Sequence, residues 1–193
     1  MPLGRADHRR CAVTGACFRM QRRSRPLIGA LLMLLGLSLV SAHVPQFPEG
    51  DGPFEVDRPT ISKAYYLHLA VGEAHVFLVP PLARTIPVQV LVIDDERGRS
   101  LAHQARVDCG AGWRTLREFD TPFYEPFSRI EHRYRVVDAI GPSDAPCRVE
   151  VAQVDGPPGP YTFSIGDEER FSVGDLIGLA TLGSRLQAWR EGP

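Results

Sequence analysis

The sequence lacks the short motifs that mark the common catalytic and nucleotide-binding sites. It contains no G-x-S-x-G, no H-E-x-x-H, no P-loop and no G-x-G-x-x-G pattern. A fold can still assemble catalytic groups from residues far apart in the chain, so these absences weigh against an enzyme without excluding one. We therefore expect a non-enzymatic role.

Basic charge is scarce after residue 42. The first 42 residues hold seven arginines and one acidic residue, which leaves 15 basic and 22 acidic residues in 43–193, a net charge of −7. Nucleic-acid binding depends on basic surfaces that neutralise phosphates. The composition therefore predicts no nucleic-acid partner.

No apolar run is long enough to cross a membrane. Leu27–Val40 has fourteen residues without a charge, whereas a transmembrane helix needs about 20. Arginines precede this run and the small residue Ala42 follows it, which is typical of a secretory signal peptide. We expect residues 1–42 to form a signal helix that is cleaved after Ala42, with Met20 as an alternative start. The mature chain would be exported, periplasmic or extracellular, and without a membrane span.

Cysteine is scarce as well. Two of the four cysteines lie in the signal segment, and only Cys109 and Cys147 remain. Two cysteines in an exported domain are most simply one disulfide. A reactive thiol has no support, because neither cysteine has a neighbouring histidine and no C-x-x-C occurs. The sequence therefore predicts a Cys109–Cys147 bond.

Short β-type runs, separated by polar or Gly/Pro turns, fill residues 60–171. The runs AYYLHLA and AHVFLV flank Val71-Gly72-Glu73 and predict a hairpin. No strand–helix alternation is present, so a doubly wound fold is not expected. The spacing predicts a mainly β fold, an antiparallel β-sandwich of jelly-roll or related type. Residues 43–59, rich in proline and glycine, are predicted to be an extended arm, and residues 110–131 are the least regular part.

The chain ends in a helical pattern over residues 172–190. Ser172 can cap this helix with Asp175 three residues on, and apolar residues recur at helical spacing. A membrane-surface or partner-binding helix is one interpretation. We expect instead an amphipathic helix packed on the edge or bottom of the sandwich, because the polar face lacks the Lys/Arg density of interfacial helices.

Four segments resemble a group of uncharacterised secreted prokaryotic proteins. They are AHVP at 42–45, ISKAYY at 61–66, FYEPF at 123–127 and GPYTFSIGDE at 159–168. The resemblance covers most of residues 43–175. The group carries no activity that could be transferred, so the resemblance implies a secreted protein and nothing about its ligand.

At a coarser level the pattern is similar to pre-peptidase C-terminal-type domains. Gly72-Glu73, the acidic turn at 94–98 and the final strand at 159–165 fit the order of such β-sandwiches. The resemblance implies a binding or stabilising role beside a secreted enzyme. This chain departs from it in the insertion at 110–131, in the terminal helix and in having no protease attached, so the likeness concerns the fold more than the role.

Histidine offers a candidate metal site. Cleavage after Ala42 would make His43 the first residue, whose α-amino group and Nδ1 can chelate one metal ion. With a second imidazole, such a nitrogen set suits copper(II). The partners available are His68, His75, His103 and His132.

His68 and His75 are the partners best placed by the predicted hairpin. If Val71 pairs with Ala74, both imidazoles lie on one face, and a shift of one residue separates them. The metal candidates are therefore His43, His68 and His75. The alternative is a solvated His43 with surface or hydrogen-bonded histidines elsewhere, in which case no cofactor is expected.

A run of aromatic residues offers a candidate ligand site. Phe119–Phe127 is interrupted by two prolines. If these rings are exposed, they form a platform for sugars or peptides, with Phe123, Tyr124, Glu125 and Phe127 as the binding candidates. If they are buried, they plug one end of the core, which is the arrangement that large aromatic side chains favour.

The sequence as a whole favours an exported binding or interaction module for an unidentified protein or carbohydrate ligand. A copper- or other metal-binding protein that uses His43 is the alternative from a different class. A purely structural envelope component is the third interpretation.

Overall fold

The computed structural model describes residues 43–125 and 129–192. They belong to the second of two units into which the chain divides, residues 40–193. The predicted signal peptide, residues 1–42, lies outside the described residues, and so does the ligand candidate Phe127.

Strands dominate this part of the chain and form two sheets, which confirms the predicted mainly β sandwich. The strands are β1 (Val44–Gln46), β2 (Phe54–Glu55), β3 (Lys63–Leu69), β4 (Ala74–Val79), β5 (Ile86–Ile93), β6 (Ala102–Asp108), β7 (Arg114–Thr115), β8 (Glu118–Glu125), β9 (Ile130–Ile140), β10 (Cys147–Asp155) and β11 (Gly159–Ile165). The helices are α1 (Glu96–Ser100), α2 (Val173–Gly178) and α3 (Leu182–Glu191), with a 3₁₀ turn at Leu179–Thr181.

The larger sheet has six strands in the order β1-β3-β11-β5-β9-β8, and the smaller has five in the order β2-β4-β10-β6-β7. The pairings are antiparallel except that β1 runs parallel to β3 and β2 parallel to β4. The predicted arm at 43–59 therefore contributes one short strand to an edge of each sheet. Its apolar side chains, Val44, Phe54 and Val56, are buried.

The main core lies between the sheets, because alternate side chains of each strand point inward. Phe77 of β4 stacks on Phe163 of β11 with 4.0 Å between ring centroids, and Tyr65 packs edge-on against Phe77. Aliphatic side chains of the neighbouring strands fill the rest of this layer, among them Val88, Val90, Val136, Val149 and Val151.

A second apolar layer covers the outer face of the six-stranded sheet. Leu182, Leu186 and Trp189 of α3 pack there against a patch that includes Tyr66. The Trp189 indole Nε1–H donates to the Leu67 carbonyl at 3.0 Å. The terminal helix thus packs on the sandwich, but on the outer face of the larger sheet and not on the edge or bottom that the sequence predicted. Within residues 43–125 and 129–192, no helix is both long and apolar enough to cross a membrane.

The predicted hairpin between residues 64–70 and 74–79 is wrong. β3 lies in the six-stranded sheet between β1 and β11, whereas β4 lies in the five-stranded sheet between β2 and β10. Both edges of each strand are already paired, so neither is free to pair with the other. The turn at Val71–Glu73 instead passes from one sheet to the other.

Two further predictions need correction. The continuous helix expected at 172–190 is divided into α2, the 3₁₀ turn and α3. Its start is confirmed, since the Asp175 N–H donates to Ser172 Oγ and the Ser172 N–H to Asp175 Oδ2. At the interruption, the Thr181 hydroxyl donates to the Gly178 carbonyl. Glycine weakens a helix, and so does a side-chain hydroxyl that competes for a backbone carbonyl. The irregular segment expected at 110–131 contains β7, all of β8 and the first two residues of β9.

The predicted disulfide is present. Cys109 follows β6 and Cys147 begins β10, two strands that pair with each other, and the bond joins residues 38 apart in sequence. It holds two strands of the smaller sheet in register at one end.

Removing this disulfide should destabilise the fold substantially. Closing a loop of this length restricts the unfolded chain by about 4 kcal/mol on the chain-entropy model. We expect the Cys109→Ala/Cys147→Ala variant to lose a free energy of unfolding of this order in urea titrations, and the reduced wild type to match it. A loss below about 1 kcal/mol in both would contradict the prediction.

Candidate functional site

The aromatic segment forms an edge strand. β8 pairs with β9 on one side and has no partner strand on the other among the described residues. Phe119 is 42% exposed and Tyr124 is 53% exposed, so the buried plug does not describe them. Strand formation separates neighbouring side chains onto opposite faces of the sheet.

The ligand candidates on β8 consequently do not share one surface. Phe123 is half-buried, with its ring centroid 5.1 Å from that of Tyr134 on β9. Tyr124 is exposed, whereas Glu125 is buried near the half-buried His43. The structure therefore separates the single aromatic platform that the sequence predicted into three different environments.

The metal candidates are also separated. His68 lies on the outer face of the larger sheet, where Nε2 bonds to the Trp189 carbonyl at 2.7 Å. His75 lies between the sheets with Nδ1 2.8 Å from the Tyr161 hydroxyl. They cannot share one face, because the hairpin that would align them does not form.

His43 is engaged by hydroxyl groups. The Ser62 hydroxyl hydrogen-bonds to Nδ1, and Ser164 Oγ lies 3.4 Å from the same nitrogen. Nδ1 is the atom that a copper chelate would require. In residues 43–125 and 129–192, no three His, Cys, Asp or Glu side chains are grouped to hold a metal ion. The geometry therefore adds no support to the copper hypothesis.

The most distinctive concave site lies where β6 of one sheet faces β8 and β9 of the other. We call it the β6–β8 cleft. Its volume is about 500 Å³, and it is lined by Ala102, His103, Gln104, Glu118, Phe119, Asp120, Arg135 and Val154. This volume falls within the range of small-molecule sites.

Strand irregularities shape this cleft. Val90 pairs with Val136 but Leu91 pairs with Tyr134, so Arg135 is an extra residue in β9. The pairing of β8 with β9 shifts at the same place, between Glu118 and Thr121. Such bulges redirect side chains, and here they bring Arg135 to the cleft opposite β6.

The cleft contains paired charges. The Arg135 guanidinium donates to Asp120 Oδ1 at 3.0 Å and to the Arg99 carbonyl at 2.7 Å. Gln104 Nε2 donates to Glu118 Oε1 at 3.2 Å. These contacts fix the polar side chains in place, so the wall of the cleft is preorganised.

His103 contributes two ring nitrogens without hydrogen-bond partners among the described residues. Its side chain is buried, at 4% exposure, and packs against the Tyr161 ring with 5.2 Å between centroids. Burial, reinforced by the charge of Arg135, lowers the pKa of His103 to about 4. At neutral pH the ring is therefore uncharged, with one N–H donor and one acceptor nitrogen.

Comparison with known proteins adds no relative. No protein-family model matches the chain, and no match was found among curated proteins or among solved structures. The resemblance to secreted prokaryotic proteins therefore stays a prediction, and a functional assignment depends on the site itself.

His103 should make the protein lose stability in acid. The unfolded side chain has a pKa near 6.5 and the folded one near 4, so the unfolded state binds more protons between these values. The free energy of unfolding is therefore highest, as far as His103 is concerned, above about pH 6.5. It falls by about 3 kcal/mol as the pH is lowered towards 4. Burial also lowers the pKa of His43, His68, His75 and His132, which adds loss in the same direction.

The difference between variants isolates this effect. Urea unfolding at several pH values should show a smaller acid loss for His103→Gln than for the wild type. His68 is only half-buried, so the His68→Gln variant is the control. Its free energy of unfolding should fall with decreasing pH almost as steeply as that of the wild type. An identical pH dependence in His103→Gln and the wild type would refute the role of His103.

Proposed function

We propose that this protein is an exported, non-enzymatic binding module that takes a carbohydrate in the β6–β8 cleft. The observation that carries the proposal is that one cleft is lined both by the exposed Phe119 ring and by His103, whose ring nitrogens have no hydrogen-bond partner among the described residues. An aromatic face accepts the apolar C–H surface of a sugar ring. In a small-molecule site, a few well-placed polar groups around such an apolar contact provide the specificity.

The polar chemistry of the cleft supports a sugar over other ligands. A hydroxyl group both donates and accepts a hydrogen bond, and it therefore matches both functions of a neutral imidazole. Glu118 and Asp120 add carboxylate oxygens that accept hydrogen bonds, and Gln104 adds an amide that both donates and accepts. The hydroxyl groups of a sugar can bind to all of these groups. Satisfying a buried polar group that is otherwise unpaired is favourable, since leaving it unpaired is costly.

Phe119→Ala should abolish most of the carbohydrate binding. A glycan array probed with the purified chain identifies a ligand, and titration calorimetry then gives its affinity. We expect Phe119→Ala to weaken the affinity at least about tenfold, because it removes the main apolar contact. His103→Leu, which cannot form hydrogen bonds, should weaken it as well.

Tyr124→Ala is the matched control on the same strand. Tyr124 is as exposed as Phe119 but does not line the cleft, so its removal should leave the affinity within about twofold. Thermal unfolding establishes that each variant is folded. A silent array, or equal binding by Phe119→Ala and the wild type, would count against the proposal.

Export has a separate test. The precursor, expressed in a bacterial host without an N-terminal tag, should yield a secreted chain that begins at His43, because Ala42 satisfies the small-residue requirement for cleavage. Intact mass measured with copper present reports the cleavage site and any bound metal together. Retention of residues 1–42 in the final product would contradict export by this signal.

A further inference from the structure

Arginine partners are distributed unevenly over the molecule. Fourteen arginines follow residue 42, and eight of them have a carboxylate oxygen within 4.0 Å. Three more lie over aromatic rings, Arg117 on Phe119, Arg148 on Trp113 and Arg185 on Phe47. In residues 43–125 and 129–192, Arg97, Arg129 and Arg190 have neither kind of partner.

All three of these arginines line one cleft, which we call the arginine cleft. It has a volume of about 560 Å³ and lies between α3 and the larger sheet, beside α1. Its floor is apolar, because Ile93, Ile130 and Leu186 line it and are themselves buried. The site therefore combines a cationic rim with an apolar base.

Two carboxylates, Asp95 and Glu191, also line the cleft, so three guanidinium groups share it with two carboxylates and the net charge of its lining is +1. Asp95 Oδ1 accepts from the Gly98 N–H at 2.7 Å as the cap of α1. Glu191 Oε1 accepts from Gln187 Nε2 at 2.9 Å. Neither forms an ion pair with an arginine in the described part of the chain, although residues 43–193 carry a net charge of −7. Among the described residues the three guanidinium groups thus remain free of direct ion pairs, and the excess of positive charge in this concave site favours an anion.

Separate elements hold the three side chains. Arg97 Nη2 donates to the Pro158 carbonyl, which anchors that guanidinium and leaves its other N–H groups available. Arg129 lies in the turn directly before β9 and has a φ of 57°, a conformation that residues other than glycine rarely adopt. Arg190 lies in the last turn of α3, where a cation is favoured by the helix dipole.

We propose that the arginine cleft binds an ionised phosphate ester. A phosphate group offers several terminal oxygens and a charge approaching −2, which suits three guanidinium groups better than a single carboxylate does. The apolar part of the ester would lie on Ile93, Ile130 and Leu186. A soluble ester and a phospholipid headgroup share this chemistry. The site is independent of the carbohydrate cleft.

Titration calorimetry with n-hexyl phosphate and with inorganic phosphate tests both halves of the site. The hexyl ester should bind at least about tenfold more tightly, because its chain covers the apolar floor, and its affinity should fall as salt is added. Arg129→Gln and Arg190→Gln should each weaken it at least about tenfold. Co-sedimentation with phosphatidylglycerol vesicles, against phosphatidylcholine vesicles, distinguishes a lipid headgroup from a soluble ester.

Arg148→Gln is the matched control, since Arg148 is also exposed and has no carboxylate partner among the described residues, but lies over Trp113. It should bind hexyl phosphate as the wild type does, and so should Phe119→Ala. Binding of hexyl phosphate that depends on Arg129 and Arg190 supports the proposal whether or not the vesicles bind. No binding at about 10 mM ester, or equal affinity in the wild type and all arginine variants, overturns it.

Discussion

A strand that is buried on both faces needs a covering layer on each side. β11 is buried along its whole length and β3 along nearly all of it. The smaller sheet covers their inner faces, and α3 lies over the outer face of the larger sheet, to which both strands belong. Trp189 fixes α3 in place, since its indole donates to Leu67, its carbonyl bonds to His68 and its ring packs against Tyr66. The arginine cleft exists because of this docking, since Leu186 and Arg190 both belong to α3.

The two proposed sites differ in their physical origin. The β6–β8 cleft depends on bulges that interrupt the pairing of β9, and it lies between β6 of one sheet and β8 and β9 of the other. The arginine cleft depends on a helix laid over a sheet. The β6–β8 cleft presents paired charges and an uncharged imidazole together with an aromatic ring, and the arginine cleft presents guanidinium groups without ion pairs in the described part of the chain, above aliphatic side chains. Ligands of different chemistry therefore suit them.

Local patterns predicted much of the fold. The short apolar runs and their turns indicated a sandwich, and the two remaining cysteines indicated the disulfide. The pairing of strands was less accessible, because AYYLHLA and AHVFLV look like a hairpin although their partners come from elsewhere in the chain. Tyr66 and His68 gave no sign that a helix would bury the outer face of β3.

The sites were harder to predict than the fold. Alternation along β6 places His103 on the same face as Ala105 and Val107, so its burial was foreseeable. The bulge that brings Arg135 to the cleft has no signature in the sequence. Arg97, Arg129 and Arg190 are far apart in the chain, and only the tertiary structure shows that they share a cleft.

The order of the strands has a consequence for how the chain acquires its structure. Lys63 of β3 pairs with Ile165 of β11, and Val79 of β4 pairs with Cys147 of β10. The central pairs of both sheets thus join early and late parts of the chain, and contacts of such long range slow folding. During synthesis β3 therefore lacks its partner β11, and β4 lacks its partner β10, until most of the chain has been made. Until then the apolar faces of these strands lack the layers that cover them in the folded protein.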